Sequence, residues 1–280
     1  MIYKSLLTVL TDPDWVETPL AQIVELAEAN NAHADALCIG VDRSPHGYYE
    51  AGGGNALLLQ QALDQAQEEA SVLVSKAEAV LAPSGIRWAP ERGVSALAGM
   101  GKHVANRSRF SDLVVMPLPY GKGKGSDMEV AVEAALFGER SPVLVLPDDA
   151  KPVSDFKTVM VAWNEGAEAM AAVRKSLPIL RGADLVRIVT VGPATHRADE
   201  TDPGGMLSQM LARHGVTCEV DVLGKTLPRT YDVLNRHVTD TGADMLVMGA
   251  YGHSRLREAI LGGTTRNMLE NATVPLLMAH

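Results

Sequence analysis

The segment Asp244-Met245-Leu246-Val247-Met248-Gly249-Ala250-Tyr251-Gly252, then His253 to Leu261, then Gly262-Gly263-Thr264-Thr265, decides how the chain is read. Its first part is a short aliphatic run, suited to a strand buried on both faces. Glycines follow at the strand end and at the start of a helix. The strand has a counterpart 132 residues upstream in Asp112-Leu113-Val114-Val115-Met116. Working outward, Pro142-Val143-Leu144-Val145 matches Pro275-Leu276-Leu277-Met278 at an offset of 133, and Gly85-Ile86-Arg87-Trp88 matches Gly215-Val216-Thr217-Cys218 at 130. Ala34-Asp35-Ala36-Leu37 matches Ala183-Asp184-Leu185-Val186 at 149, and Tyr3-Lys4-Ser5-Leu6-Leu7-Thr8-Val9 matches Phe156-Lys157-Thr158-Val159-Met160-Val161-Ala162 at 153. Five matches in order, with one 19-residue step, point to a duplicated unit.

Helical patterns separate the matched runs. Val16–Asn30 carries Leu20, Ile23, Val24, Leu26 and Ala27 at helical spacing. Ala56–Leu81 is long and periodic, and Pro83 with Gly85 ends it. Gly205–His214 replaces it in the second half, which accounts for the step. Leu97–Arg107 and Met128–Phe137 complete the first half. Tyr231–Thr241 and Leu256–Asn271 are their counterparts, the latter regular only after Gly263. Each half therefore alternates strand and helix five strands deep. That predicts an α/β fold: open parallel sheets with helices on both faces, joined by right-handed crossovers. The proline- and charge-rich run Pro147–Ser154 divides domains 1–150 and 151–280.

Composition narrows the class. The 280 residues are 46% apolar and 21% charged, enough for a packed core. Only 4% are aromatic, against a base-stacking nucleic-acid binder. The net charge of −9 disfavours phosphate-backbone and anionic-membrane partners. Cys38 and Cys218 stand 180 positions apart without a C-x-x-C, so buried free thiols in a reducing cytosol are expected. The opening Met1–Pro13 carries too short an apolar run for a secretory signal. No apolar stretch reaches the ~18–20 residues of a membrane span, and a cytoplasmic protein is expected.

In an open parallel sheet, ligands bind beyond the strands' carboxyl ends where strand order reverses, here between strands 1 and 4. Gly249 and Gly252 let backbone approach a ligand without an intervening Cβ. Gly262 and Gly263 leave helix-start N–H groups, with the helix dipole, facing an anion. Thr264 and Thr265 add hydroxyls. The same spacing also suits tight turns and a helix cap, and spacing alone does not choose.

The run Gly249-x-x-Gly252, nine residues, then Gly262 resembles the ATP-binding signature of the universal stress protein (UspA-like) family. The repeat extends the resemblance over the whole chain, as two such domains in tandem. It implies two five-stranded sheets of order 3-2-1-4-5, adenine nucleotide α-hydrolase-like. Phosphate contacts would fall on Gly249, Gly252, Gly262, Gly263, Thr264 and Thr265, with His253 alongside and adenine near Val191. Asn164 stands where the family has Asp, and Gly263 where it has Ser or Thr. The implied ligand is ATP, with ADP or AMP as alternatives and Mg accompanying a triphosphate. The implied role is regulation in the stress response, through a protein partner the sequence does not identify. The apolar strands Val143–Leu146 and Leu276–Met278 would pair, making a pseudo-dimer of the halves. A homodimer of whole chains stays open, as does a nucleotide-independent scaffold of the same fold.

The first half is read as a degenerate nucleotide site. Pro117 replaces Gly249, Tyr120 replaces Gly252, and no Gly-Gly or Gly-Ser is read before the last helix, so this half is not expected to bind ATP in the family mode. Asp12 matches the family's strand-1 acid. The loop Gly121-Lys122-Gly123-Lys124-Gly125 reads as a solvated flexible segment or an anion holder. No catalytic residue is assigned, and slow ATP hydrolysis is the most that is expected. There is no P-loop lysine signature, nucleophile elbow or His-x-Gly-His, and no histidine or cysteine shows metal-ligand spacing. His33, His103, His214 and His237 are expected at helix ends or on helices.

Overall fold

A computed structural model describes residues 3–44, 56–138, 140–192, 202–250 and 263–280. The chain forms two compact units, Tyr3–Ser141 and Pro142–His280. In the first, β1 (Ser5–Leu10), α1 (Glu17–Asn30), β2 (His33–Asp42), α2 (Ala56–Leu81), β3 (Arg87–Ala96), α3 (Leu97–Ser108), β4 (Leu113–Pro117) and α4 (Ser126–Gly138) follow one another. The strands lie in the order β3-β2-β1-β4, with β2 and β4 parallel to β1 and β3 parallel to β2. The central strands read as aliphatic runs because both faces are covered: Leu6, Leu7, Val9, Leu10, Val114 and Val115 are all buried.

The second unit holds β5 (Val143–Leu146), β6 (Thr158–Ala162), α5 (Ala167–Leu180), β7 (Leu185–Val191), α6 (Gly205–Arg213), β8 (Cys218–Leu223), α7 (Thr230–Thr241), β9 (Met245–Gly249), α8 (Thr264–Asn271) and β10 (Leu276–Ala279). Its order is β5-β10-β9-β6-β7-β8, so the half-repeat runs 3-2-1-4-5 as the resemblance implied. The two final strands pair antiparallel, Leu277 opposite Leu144. The linker Pro147–Ser154 follows β5 inside this unit.

The repeated aspartates have a physical reason. Asp112 Oδ2 accepts from the backbone N–H of Lys4 at 2.7 Å and of Ser5 at 3.0 Å. Its own N–H donates to Ser5 O at 2.8 Å, fastening the start of strand 4 to the start of strand 1. Asp244 does the same in the second unit, accepting from Lys157 N at 2.8 Å and donating to Thr158 O at 3.0 Å. The duplicated residue is a staple.

Several expectations shift. Cys38 is a buried free thiol, and burial, with the charge of Glu78, pushes it up to about 12. Cys218 is also free but only half-buried. His33 opens β2 rather than ending a helix. α4 begins at Ser126, two residues before the expected Met128, so Gly125 and Ser126 stand at the start of that helix after all. The loop before it is pinned: the Trp15 indole donates to Gly123 O at 3.4 Å, and Lys124 Nζ sits 4.5 Å from the Trp15 ring centre. No helix among the described residues is long and apolar enough to cross a membrane.

Candidate functional site

A cavity of about 260 Å³ opens at the carboxyl ends of β6, β7 and β9, where strand order reverses in the second unit. Asn164, Val191, Gly249, Thr264 and Thr265 all line it. Gly263 lies beside it as the N-cap of α8 and offers no side chain to cap that helix. Gly252, His253 and Gly262 fall outside the described residues.

The lining divides by chemistry. Val189, Val191, Leu234, Met248, Ala162 and the buried Trp163 ring make an apolar floor able to take a flat, apolar-faced group. Asn164, Thr230, Thr264 and Thr265 supply an amide and hydroxyls. Thr230 and Thr264 each open a helix, so the positive ends of two helix dipoles meet this space.

Two of the expected contact residues also have structural duties. The Gly166 N–H donates to Asn164 Oδ1 at 3.0 Å, fixing the turn into α5, so it is the amide NH₂ that remains to be offered. A Cβ on Gly249 would lie 2.5 Å from Ala169 N and 2.6 Å from the carbonyl carbon of Glu168. Glycine is needed there because the first turn of α5 packs on the end of β9.

Trp163, Thr230 and Leu234 were not anticipated. Trp163 immediately precedes Asn164, and Thr230 and Leu234 lie one turn apart on α7, so adjacency and helical spacing carried the signal. An ionic cluster beside the cavity seats α7. Asp221 Oδ2 accepts from Arg187 Nη1 at 3.0 Å and lies 2.9 Å from His237 Nε2. A second Arg187 nitrogen lies 3.2 Å from Glu219 Oε2. Burial alone would raise the Asp221 carboxyl, but His237 and Arg187 outweigh that and hold it below the usual carboxylate range. His237, read from sequence as a helix histidine at a cap or in solvent, is thus tied to the sheet.

Residues 155–280 match the Universal stress protein family. A universal stress protein of Synechocystis sp., Slr1230, is 29% identical over 141 residues, which are 49% of this chain and 46% of that protein. The matched segment thus spans about half the length of that curated relative. Among solved structures, a universal stress protein from Archaeoglobus fulgidus superposes with a TM-score of 0.71 at 15% identity, covering 97% of this chain and 94% of that one. A functionally unknown protein, PA1789 of Pseudomonas aeruginosa, gives 0.60 at 13% identity over 98% of this chain and 92% of its own. The structural likeness carries the fold across both units, and residues 155–280, a little under half of the chain, carry the sequence likeness to the universal stress protein family.

Proposed function

We propose that the second unit binds an adenine nucleotide in the cavity at the ends of β6, β7 and β9, and that the chain is a regulatory protein of the stress response. In this reading ATP, or ADP or AMP, lays its base against Val191 and the apolar floor. Its phosphates turn toward the first turn of α8. The donors there fit such a ligand: the Asn164 amide, the Thr264 and Thr265 hydroxyls, and helix-start N–H groups. No carboxylate lines the cavity among the described residues, so Mg accompanying a triphosphate would be carried chiefly by phosphate oxygens. The reading assigns no catalytic base. Ligand binding would alter the surface around α7 and α8 that a protein partner meets.

The observation that carries the proposal is the gathering of Asn164, Val191, Gly249, Thr264 and Thr265 around one cavity at the switch point. Equilibrium binding of labelled ATP tests it, with Val191→Trp as the control that fills the floor. Saturable binding by the parent and at least about tenfold weaker binding by the variant, ~1.4 kcal/mol, is the expected result. A nucleotide-independent scaffold is the second reading. It is favoured by the structural duties of Asn164 and Gly249, which explain those residues without a ligand. Absence of saturation at millimolar nucleotide would select it.

A further inference from the structure

The start of α4 in the first unit is the counterpart of the start of α8 in the second. Each is the helix after its unit's fourth strand, and the residues align as Gly125-Ser126-Asp127 against Gly263-Thr264-Thr265. They differ in kind only at the third position. Thr265 is buried and neutral. Asp127 is equally buried, at 3% exposure, but brings a carboxylate to a helix start.

Three observations bear on that carboxylate. A Cβ on Gly125 would clash with its Oδ1, so the glycine before the helix leaves room for Asp127 itself. Arg43, at the end of β2, reaches Asp127 Oδ1 at 3.7 Å while holding Glu69 at 2.9 Å, so a cation from another strand faces the same spot. Asp127 Oδ2 is buried and has no hydrogen-bond partner among the described residues. A buried carboxylate oxygen without a partner is costly to keep. Here Oδ1 faces the Arg43 guanidinium, and Oδ2 stays unpartnered at the helix start.

We infer that Asp127 is a built-in anion: its carboxylate takes the position of an external phosphate at the first turn of α4, and the first unit is closed to phosphate ligands by its own side chain. The helix start and Arg43 are both groups that favour an anion. A second anion brought beside the Asp127 carboxylate would meet a like charge in a partly dry site, which is strongly unfavourable. This inference concerns the first unit and does not depend on the second unit binding nucleotide.

The test is titration of the full chain with inorganic phosphate, read at the backbone amide resonances of Gly125 and Ser126. That readout isolates this site from the second unit. In the parent these resonances stay unmoved at millimolar phosphate. In Asp127→Ser they shift saturably, with affinity at least about tenfold above any seen for the parent, the direction expected when a like charge is removed. Asp127→Asn, which keeps the shape and removes the charge, shows the same gain if the serine variant fails to fold. Saturable shifts in the parent would overturn the inference. So would a folded variant that shows none. Loss of the fold in both variants would also overturn it, because the carboxylate would then be a structural requirement rather than an occupant.

Discussion

At the scale of single residues, the two readings of a glycine separate. Gly249 is glycine because the backbone of α5 touches it. Gly249→Ala should therefore lower stability by about 1–3 kcal/mol, whether or not nucleotide is present. A chemical melt of the ligand-free variant checks this, and an unchanged midpoint would show that α5 can yield. Val191 makes the opposite case. It lines the cavity at a strand end, so Val191→Trp should leave the melt near that of the parent and act on binding alone. The paired aspartates give a third prediction. Asp112→Ala and Asp244→Ala each remove a carboxylate that accepts from the backbone at a strand start. Each should cost about 1 kcal/mol in its own unit, read by melting, the larger loss falling on Asp112, which accepts two N–H groups where Asp244 accepts one.

At the scale of elements, α7 is the part of the cavity held by charge. Asp221 binds it to the sheet through His237 and Arg187. The folded-state carboxyl lies below its ordinary value, so its contribution is present above the unfolded pKa, near ~4, and is lost as pH falls through the folded value. Asp221→Asn should be about 1–2 kcal/mol less stable than the parent near neutral pH. The difference should close in acid as the parent's own carboxyl protonates. Urea melts across that range check the sign: a gap that widens as pH falls would contradict it. Strands and long helices were legible because burial on both faces writes continuous aliphatic runs, and α2 was bounded as Ala56–Leu81 by its Pro83 and Gly85 stop. The start of α4 was not. Its first turn is Ser126-Asp127, and the helical period shows only from Met128, so the helix-start glycine of the first half went uncredited. The pinning of the lysine loop was equally hidden. Trp15 and Gly123 are 108 residues apart, and no local pattern announces an indole across that separation.

At the scale of the whole molecule, duplication is what the sequence stated most plainly. The matched runs became equivalent strands, each pair of halves sharing the order 3-2-1-4 before the fifth strand. Asn164, Val191, Gly249, Thr264 and Thr265, named from the family resemblance and the glycine spacing, all line the cavity, and their role as contacts belongs to the proposal. Trp163 and the α7 residues required the third dimension. The halves have diverged where a ligand would matter. The second presents hydroxyls at its helix start, whereas the first presents Asp127 and ends β4 on Pro117. One nucleotide site per chain, not two, follows from the proposed function. Equilibrium dialysis of the intact protein against labelled ATP measures this directly. About one nucleotide per chain at saturation, lost in Val191→Trp, is the predicted result. Two per chain, none at millimolar nucleotide, or full occupancy in the variant would contradict it.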